Sequence, residues 1–155
     1  MKINRSFKEF KFRHKNKKNQ IIYTSKKVKD DNEILNLVNN FLNEKNSFIF
    51  ESVEKGKIKG RYTIFGRNPD KIWEFNNRNS YIIQGNKKIK LKENPENLIE
   101  KIIEDFKFET PKNLPKICSL ISGYFSYDSI RYIEKIPNSC KNDLKIPDVR
   151  LLRPR

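Results

Sequence analysis

The chain has 155 residues, a formal net charge of +15, 35% hydrophobic residues and 34% charged residues. That length fits one domain with a modest core under a heavily charged surface. No apolar run approaches the ~20 residues needed to span a bilayer, and the basic start lacks the apolar stretch and cleavage site of a secretory signal.

Residues 1–20 are polar and basic and read as a loosely ordered lead-in, with one domain expected over 21–155. Ile21 to Thr24 is a candidate short strand. Asp30-Asp31-Asn32-Glu33 has the form of a capping box. Behind it Ile34, Leu35, Leu37, Val38, Phe41 and Leu42 recur at helical spacing, which predicts an amphipathic helix to about Lys45. Phe48 to Val53 is apolar and β-prone. Arg61 to Gly66 alternates, and Asn68-Pro69-Asp70 turns the chain into a strand around Ile72, Trp73 and Phe75. Tyr81 to Gln84 and Lys88 to Leu91 flank Gly85-Asn86, a two-residue hairpin turn in which both residues tolerate positive φ.

Asn94-Pro95 supplies a cap and a first-turn proline for a helix whose buried stripe is Leu98, Ile99, Ile102, Ile103 and Phe106. After Pro111 and Pro115, a strand is expected from Ile117 to Tyr124, then a short helix from Asp128 to Lys135 ended by Pro137. Asp148 to Leu152 begins a last strand with nothing after it. Hairpins interrupted by helices, without βαβ alternation, predict an α+β fold with a largely antiparallel sheet and flanking helices.

The charge raises the question of nucleic acid. Lys8, Lys11, Arg13, His14, Lys15, Lys17 and Lys18, with Phe7, Phe10 and Phe12 between them, have the look of a basic patch interleaved with aromatics. The lysines, however, run along the whole chain. The sequence has no alanine and is rich in Asn, Lys and Ile, the composition of AT-rich coding. No RNA- or DNA-binding motif is present, so a small basic nucleic-acid module is the less favoured alternative. Cys118 and Cys140 have no CxxC spacing, which fits reduced thiols and a soluble, cytoplasmic protein.

Catalytic signals are sparse. His14 is the only histidine and sits in the basic lead-in, which leaves triad chemistry without support. The scattered glycines form no phosphate cradle, and acidic pairs such as Glu104-Asp105 fall on helix faces. No catalytic residue and no metal ligand is assigned in this chain. What remains is Glu51-Ser52, where an apolar strand gives way to a glycine-containing turn. Phe48, Phe50 and Ser52 fall on one strand face, Ile49, Glu51 and Val53 on the other. Such a pair could hold the polar atoms of an amino-acid ligand, the carboxylate taking its ammonium group. On residue types alone the commoner arrangement is preferred: Ser52 caps the turn and Glu51 pairs with a nearby lysine.

Two segments alter that preference. SFIFESVEKGKIKGRYTIFGRNPDKIW (Ser47 to Trp73) and GYFSYDSIRYIEKIP (Gly123 to Pro137) resemble the amino-terminal region of anthranilate synthase component I, the large subunit. The resemblance runs from about Ile21 to Arg155. It departs at the first helix, where family members often carry Asp-x-x-Thr-Pro-Val and this chain has KVKDDNEILNLV. The corresponding region of aminodeoxychorismate synthase is the related alternative.

The resemblance implies a tryptophan feedback site containing Ser52, Glu51 and Arg61, with Lys59 the other candidate for the basic position. It further implies a complete enzyme that makes anthranilate and pyruvate from chorismate and ammonia, the ammonia coming from glutamine through an amidotransferase subunit, component II. Mg²⁺ ligands and chorismate-binding residues would lie beyond residue 155. In the family PDVRLLRP is a mid-chain strand, so the chain is expected to be cut before the chorismate-binding domain and inactive alone.

Overall fold

In a computed structural model the described residues are 3–16, 18–54, 58–106, 110–137, 139 and 143–154; the side chains of 41 and 53–61 are outside the description. The elements in chain order are α1 (Phe7–Lys15), α2 (Asp31–Leu42), β1 (Phe48–Glu54), β2 (Ile58–Gly66), β3 (Lys71–Asn76), β4 (Asn79–Gln84) and β5 (Lys87–Lys90). They are followed by α3 (Pro95–Phe106), β6 (Ser122–Phe125) and β7 (Val149–Arg153), with 3-10 turns at Lys116–Cys118 and Tyr127–Tyr132. Two sheets form: a β1–β2 hairpin, and five strands in the order β5-β4-β3-β7-β6. All their pairings are antiparallel, so the α+β class with antiparallel sheets is observed.

The helices begin where short polar side chains can occupy their free N–H groups. The Glu33 N–H donates to Asp30 Oδ1 at 3.1 Å, and the Asn97 N–H donates to Asn94 Oδ1 at 3.1 Å. Helix α3 then lays Leu98 and Ile102 against Trp73, Phe75, Val149 and Leu151, which form the buried core. Trp73 and Phe75 share a face of β3 because they are two residues apart. Burial of each such side chain is worth about 1.5–3 kcal/mol.

The opposite face of the same sheet is polar at its centre. Glu74 is only 5% exposed. It lies across from Tyr81 on β4 and Arg150 on β7, and Arg150 in turn faces Tyr124 on β6. Its carboxylate accepts from Lys88 Nζ at 2.6 Å and from Arg150 Nη1. Two cations reaching in from a wetter rim are what make a buried carboxylate tolerable.

Two tight turns set the register. Gln84 pairs with Lys87 across Gly85-Asn86, as the sequence predicts, although only Gly85 adopts positive φ, 56°. Asn76 pairs with Asn79 across Asn77-Arg78, both left-handed at φ 47° and 63°. This is the backbone a two-residue turn needs to follow the strand twist. The Asn77 N–H donates to Asp148 Oδ2 at 2.9 Å, and the Tyr132 hydroxyl donates to the same oxygen at 2.7 Å. Burial, then this carboxylate, pushes the Tyr132 phenol far above its ordinary value.

Several expectations are corrected. Phe7–Lys15, within the expected lead-in, is helical, with Ser6 Oγ accepting from the Glu9 N–H at 3.3 Å. Ile21–Thr24 forms no strand: Tyr23 pairs instead with Asn4, whose N–H donates to Tyr23 O at 3.0 Å. The Ile117–Tyr124 strand is reduced to Ser122–Phe125, because the Cys118 N–H turns back onto Pro115 O at 3.0 Å. The helix expected at 128–135 is a 3-10 segment at Tyr127–Tyr132. The last strand is not left uncompleted: β7 is bonded on both edges, to β3 and β6.

A Cβ built at Gly123 would stand 1.9 Å from Arg150 O, whereas one at Gly85 meets nothing within 4 Å. Gly85→Ala should cost about 1–2 kcal/mol, the price of a left-handed alanine. Gly123→Ala should cost more, because β6 must leave β7; urea denaturation of the two variants decides, and equal midpoints would contradict the close approach. The Tyr132 phenol gives a second expectation. Unfolded tyrosine ionises near pH ~10, while Tyr132 stays protonated in the fold. Stability is therefore complete below that pH and falls as pH rises above it. Tyr132→Phe should flatten this fall, measured as urea midpoints from pH 8 upward; an unchanged slope would count against it.

Candidate functional site

The sequence places the candidate site on the β1–β2 hairpin, and the backbone of that hairpin is irregular at the relevant point. The ladder is regular from Phe48↔Gly66 to Glu51↔Thr63, then resumes at Val53↔Lys59. Ser52 alone therefore stands opposite the three residues Gly60, Arg61 and Tyr62. The interruption is a bulge, a device that bends a strand and re-aims its side chains. The extra residues fall on β2, between Lys59 and Thr63, while β1 runs on from Glu51 to Val53 without an insertion.

Backbone register thus brings two of the three candidate positions, Ser52 and Arg61, to the same irregular stretch, with Glu51 one residue before it. Glu51 and Ser52 are exposed. The Arg61 and Lys59 side chains lie outside the described residues, so the choice between them as the basic group stays with the sequence. Neighbouring apolar side chains are also open to solvent: Phe50 is 50% exposed and Tyr62 38%. The Phe48 and Phe50 rings are 5.0 Å apart and tilted by 38°. Polar atoms at a bulge beside exposed aromatic rings are the materials of a small-molecule wall, though one strand pair cannot enclose a ligand.

A groove of about 920 Å³ runs along β2, lined among others by Phe10, His14, Tyr62, Ile64, Phe106 and Leu120. Tyr62 belongs to it, whereas Glu51 and Ser52 are not among its lining residues. In the groove lining Asp70 accepts from Arg153 Nε at 2.6 Å, and this hydrogen bond raises the Arg153 guanidinium above its ordinary value, against burial, which pulls it down. Sequence reasoning missed Tyr62 and the bulge, although glycine inside a strand, here Gly60, is a recognisable sign of one.

Among the described residues no three His, Cys, Asp or Glu side chains gather as a metal site requires. No helix there is long and apolar enough to cross a membrane.

Comparison with known proteins gives a consistent relationship. The chain is 31% identical over 157 residues to anthranilate synthase component 1 of Cereibacter sphaeroides, an alignment covering 96% of this chain and 31% of that protein. It is 34% identical over 106 residues to anthranilate synthase component 1 of Acetivibrio thermocellus, covering 68% of this chain and 22% of the relative. A chloroplastic anthranilate synthase alpha subunit 2 of Arabidopsis thaliana is 32% identical over 116 residues, covering 68% and 19%. The chain spans about a third or less of the length of these relatives. No protein-family model matches it.

Since Glu51 and Ser52 are exposed, Glu51→Gln and Ser52→Ala should each shift stability by no more than about 0.5 kcal/mol. Urea denaturation checks this. A loss above about 1 kcal/mol from Ser52→Ala would mark the hydroxyl as a turn cap and argue against a ligand role.

Proposed function

Because this chain belongs to the anthranilate synthase component 1 family, we propose that it forms the amino-terminal, effector-binding part of such an enzyme. The observation that carries this reading is the alignment over 96% of the chain with a component 1 protein. The hairpin geometry supports the site: Glu51, Ser52 and Arg61 lie on adjacent strands around one bulge.

The ligand proposed for that site is tryptophan, acting as feedback inhibitor. Each part of the amino acid has a suitable counterpart. The Glu51 carboxylate suits an α-ammonium group, a basic residue at 61 suits a carboxylate, and the Ser52 hydroxyl fixes a further polar atom. Exposed Phe50 and Tyr62 offer apolar surface for an indole ring. The remaining walls would come from the two thirds of the relatives' length that this chain does not span.

The complete enzyme in this reading converts chorismate and ammonia to anthranilate and pyruvate. The ammonia would be drawn from glutamine by an amidotransferase subunit, component II. Mg²⁺ and the chorismate-binding groups would also be held outside these 155 residues, so the chain alone would make no anthranilate. Inhibition would follow from linkage: tryptophan must prefer the conformation that holds chorismate poorly, and chorismate must weaken tryptophan to the same degree.

The test is a steady-state assay of the complete component 1 that contains this chain. Ser52→Phe should raise the tryptophan concentration for half-inhibition at least about tenfold, equivalent to ~1.4 kcal/mol of lost binding. The uninhibited rate should stay within about twofold. Normal inhibition in that variant would remove Ser52 from the effector site. For the isolated chain the expected result is no anthranilate fluorescence; measurable anthranilate formation would overturn the assignment of catalysis to the rest of the protein.

A further inference from the structure

The β1–β2 hairpin shares no ladder with the five-stranded sheet among the described residues, yet residues of β7 bond the chain just before it and just after it. Before β1, Asn46 has a left-handed backbone at φ 63°, and its Oδ1 accepts from Arg150 Nη2 at 2.6 Å. After β2, Asn68 is left-handed at φ 51°. Two residues further on, Asp70 accepts a two-pronged hydrogen bond from Arg153, through Nε at 2.6 Å and through Nη2. The Asp70 N–H also donates to Arg153 O at 3.2 Å. An ion pair between Glu44 and Arg67, 2.9 Å long, crosses the base of the hairpin.

We propose that the hairpin moves as one body hinged at Asn46 and Asn68, with Arg150 as the positioning residue that sets its first hinge against β7 and Arg153 anchoring Asp70 on the sheet side of the second. Asparagine is the side-chain-bearing residue that adopts left-handed backbone most readily. Two of them bracketing the hairpin are natural places for φ and ψ to change. The Arg150–Asn46 clamp suits a moving part because it is a single side-chain bond, whereas the strands of the large sheet are fixed by continuous ladders.

Arg150 links this movement to the interior. Its Nη1 holds the buried Glu74 carboxylate while its Nη2 holds Asn46. Release of Asn46 leaves the Glu74 bond intact, so the hairpin can shift without leaving a buried charge unpaired. The consequence for regulation rests on the effector reading above: a ligand that fixes the bulge at Ser52 would set the hairpin angle, and β7 would receive it. The hinge itself does not require that reading.

Hydrogen exchange on the 155-residue chain, without ligand, tests the hinge. Asn46→Gly keeps the left-handed backbone and deletes the acceptor. It should speed exchange of the β1 and β2 amides about tenfold while those of Trp73, Phe75, Val149 and Leu151 change less than about twofold. Asn46→Asp keeps both the acceptor and the tolerance of positive φ, and should restore slow exchange in the hairpin. An equal rise in all strands, no rise in the hairpin, or failure of Asn46→Asp to restore protection would each overturn the proposal. No effector is present in the experiment, so its failure leaves the tryptophan reading standing, and failure of the Ser52→Phe assay leaves the hinge standing.

Discussion

The pairing of β7 between β3 and β6 joins the two ends of the large sheet and brings charged side chains to the base of the hairpin. These five residues, Val149–Arg153, arrive more than seventy residues after β3 and join it to the edge strand β6. Val149 and Leu151 point into the core with Trp73, Phe75, Leu98 and Ile102. Alternation sends Arg150 to the other face, where it neutralises Glu74. One short strand therefore supplies apolar burial on one side and charge compensation on the other. Neither could be removed alone without exposing apolar surface or stranding a carboxylate.

The same strand reaches the hairpin. Arg150 contacts Asn46, Arg153 contacts Asp70, and Pro154 lies so near Gly66 that a Cβ there would stand 2.8 Å from its ring. The candidate effector residues thus sit on an element whose position is set by side chains of a distant strand. In mechanical terms the large sheet is the fixed body and the hairpin is its appendage. That division sets a core held by continuous ladders apart from a hairpin joined to β7 by side-chain contacts.

The locally determined parts of this fold are legible in the sequence. Helices α2 and α3 are announced by Asp30 and Asn94 and by their apolar stripes, and Gly85-Asn86 marks a turn whose geometry is fixed by two residues. Helix α1 could have been found as well, since Ser6 and Glu9 have capping-box spacing. What is not legible is pairing over distance. Ile21–Thr24 is β-prone, but its partner is Asn4 and no strand results. The segment after Pro115 is apolar enough for a strand, yet begins with a 3-10 turn. Nothing near Val149 reveals that it will lie between β3 and β6. For the site, Glu51 and Ser52 gain meaning only through family resemblance. The bulge that joins Ser52 to Arg61 requires the register of two strands, which alternation alone does not give.

If β7 organises the sheet and anchors the hairpin, shortening the chain by that strand should dismantle the fold. A chain ending at Pro147 lacks β7 but keeps every other element, and its single tryptophan, Trp73, reports on the core. Trp73 emission should then be red-shifted and solvent-exposed, with no cooperative urea transition. Blue-shifted emission with a cooperative transition close to that of the full chain would contradict it.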